Sequence, residues 1–343
     1  MRKIRRRAGQ AVTIQTVALK AGVSLMTVSN VLTGAKNVRD ETREAVMSAV
    51  AELGYVPNTA ARALASARST RVGIVYRNTH ATFLSAMLVG ALNAAERLGT
   101  QVIVHKCEGF ALDDATKAVN SLIRSGANAI LLAPPYCEVL TGSVLIDGLE
   151  MPICAIAHGA FLTDMDCIGI DETAAARAMT DHLIAKGHRR IGFVTGPATH
   201  AAGAQRLQGF REALQAADLE TDDRLVQPGD FSFESGLVAA RALLDLDQPP
   251  SAIFASNDDM AAAVSLVAHQ KGLDIPGDLA VAGFDDAPIA SKIWPPLTTV
   301  RQDIEAMADR ATEMLINRHR AGALPSPAVM ERMAYRLVER SSV

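Results

Sequence analysis

Apolar residues recur at two different periods along this 343-residue chain. Up to Gly54 they fall three and four apart. Val17 and Ala18 sit in a run from Thr13 to Ala21. Val28, Val31 and Leu32 follow Ser24. Ala45, Val46, Ala49, Val50 and Leu53 lie between Asp40 and Gly54. That spacing predicts three short amphipathic helices. Thr13 and Ser24 are suited to cap the first two, and Gly22 supplies a left-handed turn between them. Helix, short turn, helix is helix-turn-helix grammar, in which the second helix can enter the major groove of DNA. Three such helices make a domain of about 45 residues, marginally stable alone.

Pro57 interrupts this pattern. Asn58 to Ser66 is Ala-rich but spans about nine residues, too few for a stable helix by itself. From Arg71 the texture changes. RVGIVY, TQVIVH, NAILLA and MPICAIA are apolar runs of strand length. Amphipathic helices from Phe83 to Leu98, Leu112 to Arg124 and Ser143 to Leu149 separate them. After Asp171 the cycle restarts with a helix to Lys186, then RRIGFVTG, helices from Gln205 to Ala217 and from Ser232 to Leu244, SAIFAS, a helix from Asp258 to Lys271, and DLAVAGF. Continuous apolar strands covered by helices imply parallel sheets. Two consecutive series imply two α/β subdomains, with a ligand cleft at the strand C-termini.

The overall charge of −3 hides a division. Residues 1–71 hold 12 Lys and Arg against 4 Asp and Glu, and the remainder holds 22 against 33. A basic head on an acidic body fits a DNA-binding module joined to a regulatory domain. Cys107, Cys137, Cys154 and Cys167 form no C-x-x-C pair, so reduced buried thiols in a cytoplasmic protein are expected, with no metal site. No apolar run approaches the ~20 residues of a membrane span, and no apolar segment follows the basic N-terminus as a secretory signal would require. Neither G-x-G-x-x-G after a strand, nor a P-loop, nor a G-x-S-x-G elbow occurs. An enzyme is therefore not expected, and no cofactor is implied. Asp258 with Asp259 and Asp285 with Asp286 are the residual candidates for acid–base or metal chemistry.

VALKAGVSLMTVSNVLTG, TREAVMSAVAELGYVPNTAARAL, GHRRIGFVTGP, FASNDDMAAA, DLAVAGFDD and WPPLTTVRQD together resemble the lactose-repressor (LacI/GalR) family of bacterial transcription regulators, from about residue 12 onward. The resemblance implies an all-α helix-turn-helix headpiece (1–57), a hinge helix and linker (58–70), and a two-lobed core like periplasmic sugar-binding proteins (71–343). The first lobe would take about 71–170 and 302–325, the second about 171–300 and 326–343.

By that resemblance Leu25, Met26, Ser29 and Asn30 point from the second helix into the groove, with Asn30 suited to adenine. The family usually has polar or aromatic residues where Leu25 and Met26 stand. These two either touch thymine methyl groups, or they pack on the first helix or stand half-exposed. Thr13, Ser24, Thr27, Thr42 and Tyr55 resemble the family's phosphate contacts, which fix register. Asn58, Ala61 and Leu64 belong to the implied hinge, Leu64 as a minor-groove wedge. Two subunits on one pseudo-palindromic operator imply a homodimer, and the absence of a heptad helix before Val343 argues against a tetramerising tail. Arg206, Phe231, Asn257 and Asp285 match the family's effector contacts, with Phe83 expected on the other wall; the alternatives are an Arg206–Asp285 salt bridge between lobes, Asn257 as a plain N-cap and Phe231 as core. The charged pair suits vicinal hydroxyls, and a Phe face suits a pyranose. Where sugar-binding relatives often have an acidic residue, this chain has Ala157 then His158, so His158 either replaces that contact or sits in a surface loop. The function implied is a repressor released by a mono- or disaccharide, the alternative a purine or nucleoside co-repressor.

Overall fold

The computed structural model describes residues 12–32, 38–55, 70–77, 81–322 and 327–343. The chain divides into two compact units, Met1–Ser69 and Thr70–Val343.

In the first unit, α1 spans Ile14–Ala21, α2 Leu25–Leu32 and α3 Asp40–Leu53. Thr13 and Thr16 cap α1 reciprocally, each side chain accepting from the other's backbone N–H. Gly22 ends the helix at φ +68°, a conformation open to glycine without strain. Ser24 Oγ accepts from Thr27 N at 3.1 Å and starts α2. Val17, Ala18, Val28, Val31, Val46 and Ala49 form the shared core. Ala45, expected on that inner face, is exposed: one position before Val46, it is turned about 100° from it. Lys20 on α1 pairs with Glu52 on α3 across the surface. Asn58, Ala61 and Leu64, the expected hinge positions, lie outside the described residues.

The second unit has two lobes. In the first, β1 (Arg71–Tyr76), α4 (Ala81–Leu98), β2 (Gln101–Lys106), α5 (Leu112–Arg124), β3 (Ala129–Leu132), α6 (Tyr136–Leu140), α7 (Val144–Asp147), β4 (Ile153–Ile156) and β5 (Asp166–Gly169) follow in turn. The second lobe continues with α8 (Glu172–Ala185), β6 (Ile191–Val194), α9 (Ala201–Ala216), β7 (Val226–Gln227), α10 (Phe233–Leu244), β8 (Ala252–Ala255), α11 (Asp258–Gln270), β9 (Ala280–Asp285) and β10 (Thr298–Arg301). The chain then returns to the first lobe through α12 (Ile304–Ala321) and β11 (Met330–Arg332), and ends its last strand, β12 (Arg336–Val338), in the second.

The sheet orders are β11-β5-β4-β3-β1-β2 and β12-β10-β9-β8-β6-β7. Strands β3, β4, β6 and β8 are buried at every position, which explains their unbroken apolar runs. Among the described residues all pairings are parallel except β10 with β12. Each order is doubly wound, with its reversal at β1/β3 in one sheet and at β6/β8 in the other, so each lobe opens a crevice at its strand C-termini. One expected boundary changes. The segment 326–343, expected whole in the second lobe, is divided: Met330, Glu331 and Arg332 pair with Cys167, Ile168 and Gly169 in the first sheet. A three-residue strand carries too little pattern to announce its partner.

Two close approaches hold the helices that frame the crevice. At Gly90 on α4 a Cβ would stand 2.0 Å from the Glu305 carbonyl oxygen on α12. At Gly209 on α9 it would stand 2.1 Å from the Thr173 carbonyl on α8. Backbones meet here because there is no side chain between them. All four cysteines are free and buried.

Candidate functional site

In the first unit, the outer face of α2 is apolar at its first turn. Leu25 is 45% exposed and Met26 71%. Neither belongs to the headpiece core, and they stand beside exposed Asn30 and half-buried Ser29. Thr13, Ser24 and Thr27 are engaged in caps at the starts of α1 and α2. Thr42 and Tyr55 are half-buried, and Tyr55 packs against the helical core.

In the second unit, a cavity of about 320 Å³ lies between the lobes. That is room for on the order of ten waters and falls in the range of small-ligand sites. Its walls follow the topology. Pro134 and Ala157 come just after β3 and β4. His200, Phe231 and Asn257 come after β6, β7 and β8, and Asp285 ends β9. Phe83, Arg206, Phe231, Asn257 and Asp285 all line it, so the fold brings together five of the six sequence-expected effector residues.

Arg206 is the centre of a buried ionic network. It is 4% exposed. Its Nε donates to Glu172 Oε2 at 2.8 Å and its Nη1 to the Ser256 carbonyl at 2.5 Å. Asp285 Oδ1 lies 3.9 Å from Nη2. The guanidinium carbon stands 3.7 Å from the centroid of the Phe284 ring, a cation–π geometry. Burial works against this cation, but Glu172 and Asp285 outweigh it and hold its pKa above the ordinary value. Asp285 behaves oppositely. Burial, opposed by Arg206 and by a 2.6 Å hydrogen bond from Gln302, pushes its carboxyl up to about 6. Asp258, deeper still and close to Asp285, is raised well above the carboxylate range. It accepts from Thr299 Oγ1 and Ala287 N, both at 2.7 Å, and so ties the loop after β9 to β10. That is a structural task for Asp258.

Asn257 serves as both cap and strut. Its Oδ1 accepts from Met260 N at 3.0 Å, and its Nδ2 donates to the Phe231 carbonyl at 2.9 Å. Phe231 is 8% exposed with φ +68°. Its ring presses so close to Gly196 that a Cβ there would stand 2.3 Å from Cζ. Among the described residues five non-glycines have positive φ, and Ala157, Phe231, Asp285 and Asp286 line this one cavity. Such backbone costs of order 1–3 kcal/mol per residue and concentrates at ligand sites.

His158 departs from expectation. It is 4% exposed, with Nδ1 3.0 Å from the Ala160 carbonyl and Nε2 4.0 Å from Glu138. It neither lines the cavity nor sits in a surface loop. Left-handed backbone at Ala157 (φ +52°) turns the chain so that Ala157 faces the cleft and the next side chain enters the interior. α9 also begins at Ala201, about a turn before the expected Gln205, and Ala201 N donates to Glu138 Oε1 of the other lobe at 3.2 Å. Sequence reasoning missed Glu172, Gln302 and Glu305. An acid in a first turn reads simply as a complement to the helix dipole, and nothing local announces that Glu172 meets Arg206.

A helix-turn-helix unit followed by a two-lobed, periplasmic-binding-protein-like core defines a DNA-binding transcription regulator. Two family models match, "Bacterial regulatory proteins, lacI family" over residues 13–58 and "Periplasmic binding protein-like domain" over 180–343. The HTH-type transcriptional regulator CelR of Thermobifida fusca is 35% identical over 312 residues, 89% of this chain and 91% of that protein. GalS of Salmonella typhimurium is 34% identical over 317 residues, 89% of each. A solved CelR–cellobiose complex aligns over 97% of this chain and all of that one, at 32% identity and TM-score 0.71. The lac repressor dimer bound to operator and the anti-inducer ONPF aligns over 97% and 99%, at 26% identity and TM-score 0.77. The chain belongs to the LacI family of bacterial transcription regulators.

Proposed function

We propose that this regulator is a cytoplasmic, homodimeric repressor that sits on a pseudo-palindromic operator and is released by a mono- or disaccharide. The observation that carries the reading is the cavity. Arg206 and Asp285 are fixed within it beside the rings of Phe83 and Phe231, an arrangement suited to hydroxyl pairs on one face of a sugar and C–H groups on the other. The similarity to CelR, solved with cellobiose, supports the same ligand class. Leu25, Met26, Ser29 and Asn30 read bases, and Thr13, Ser24, Thr27, Thr42 and Tyr55 hold phosphates. Sugar closes or rotates the lobes, and the change reaches the headpiece through residues 56–69. A coupling of about 1–3 kcal/mol, or 5–150-fold in operator affinity, is the usual scale for such a link.

Fluorescence anisotropy of the full chain on candidate operator duplexes tests this. One duplex should bind far more tightly than random sequence, lose affinity steeply with salt through counterion release, and be released by one neutral sugar. No preference for any duplex, with or without sugars, would end the reading. Tighter operator binding in the presence of the sugar would reverse its sign.

A further inference from the structure

If the protein senses a sugar, as proposed above, the charges around the cavity decide which sugars it admits. Asp259, Asp285, Asp286, Asp303 and Glu305 line it, with Asp258 held well above its ordinary pKa by burial and Asp286 paired with Arg340 at 2.6 Å, against two arginines, Arg206 and Arg301. Both cations are already answered. Arg206 is bound to Glu172, and Arg301 lies 3.8 Å from each of Asp286 and Asp303. No lysine lines the cavity among the described residues.

Helix N-termini are the other source of positive potential. At α4, whose Thr82 and Phe83 line the cavity, the first turn holds no acid, but the other three bring carboxyl groups with them. Glu138 takes the Ala201 amide at the start of α9. Asn257 caps α11, whose first turn is Asp258 and Asp259. Asp303 Oδ1 accepts from Ala306 N at 3.0 Å at the start of α12, with Glu305 in the same turn. At α9 and α12 the amides that could hold a phosphate or carboxylate are thus taken by the protein's own carboxyl groups, and at α11 by the Asn257 amide oxygen.

Hydrogen-bonding capacity is unbalanced in the same direction. Gln302 lines the cavity and is 5% exposed. Its Nε2 is used on Asp285, while its buried Oε1 has no partner. The carboxylates make a wall rich in acceptors, which a ligand satisfies by donating O–H groups.

We infer that the effector is an unphosphorylated, non-acidic sugar, and that the carboxylates around the cavity reject the phosphorylated and oxidised forms of the same carbohydrate. The device would let the regulator respond to a sugar before it is phosphorylated or oxidised and ignore it afterwards. An anion placed among like charges loses several kcal/mol, which corresponds to roughly 100-fold or more in affinity.

Calorimetric titration of the full chain with cellobiose, glucose and galactose, with glucose 6-phosphate, galactose 6-phosphate and glucuronate, and with adenine and guanosine, tests this. The expected result is binding of a neutral sugar and at least ~100-fold weaker binding of its anionic derivative. Asp303→Asn with Glu305→Gln should narrow that gap, since Asn still caps α12. A sugar phosphate or uronate that binds as tightly as its neutral parent overturns the inference and leaves the sugar sensor standing. A purine alone binding, or none of the neutral sugars binding, removes the sugar sensor and the inference with it.

Discussion

Asp285 should make the ligand-free protein less stable than it need be. Its carboxyl titrates at about 6 in the folded chain, against an ordinary 3.8. Between those values the native state holds a proton that the unfolded chain has released. Stability therefore falls as pH rises through that window, and the loss is complete above 6. Two pK units correspond to about 3 kcal/mol. The side chain is still 28% exposed, so water screens part of the effect and that figure is an upper limit. Asp285→Asn removes the charge and keeps an acceptor for Gln302. It should raise the unfolding midpoint of the empty protein above pH 7 by up to about 6 °C, taking about 2 °C per kcal/mol for a unit of this size. At pH 5 roughly half the gain should remain, because the native carboxyl is then mostly protonated. Scanning calorimetry across pH 5 to 8 measures this. A variant less stable than the parent at pH 8, or stabilised equally at both ends, would refute the assignment of Asp285 as a burial-strained acid. The same variant should lose most sugar affinity, since Asn presents no charge to a hydroxyl pair.

Arg206→Ala should unfold about 3–5 kcal/mol more easily, because Glu172 is left as a buried carboxylate without its partner; urea titration reads this, and a loss under 1 kcal/mol would deny the pair its structural role. Gly209→Ala forces α9 off α8 and should cost about 1–3 kcal/mol or more, with weakened sugar binding because Arg206 rides on α9 while Glu172 rides on α8. Met26→Ala should shift operator preference at A·T positions by about 1 kcal/mol or more with random-duplex affinity unchanged, measured by competition anisotropy; equal losses on both DNAs would place Met26 outside base reading. Glu138→Gln should leave the α9 amide with a weaker, uncharged acceptor and lower the unfolding midpoint by the equivalent of about 0.3–1 kcal/mol at low salt.

The three headpiece helices and the alternation of the core were legible because each rests on local signals, caps and apolar period, repeated over many residues. Arg206, Phe231, Asn257 and Asp285 were legible through the family resemblance, with Phe83 expected on the other wall, and the topology then gathers them around the strand ends and the first turns of helices. Glu172 was not legible, because its meaning lies in Arg206, 34 positions away. Gln302 was hidden likewise, being defined by Asp285 across two strands. His158 misled because its fate depends on one backbone dihedral, at Ala157, that a residue type does not encode. β11 escaped notice because three residues, half exposed, carry no period.

The two last strands have a consequence for how the chain is made. Residues 330–338 complete one sheet and then the other, whereas the headpiece core, among the described residues, draws on nothing beyond residue 55. During translation, therefore, the headpiece core is complete some 280 residues before either lobe of the second unit has a full set of strands. A chain cut short late in synthesis holds every residue of the headpiece core but lacks an edge strand in each sheet.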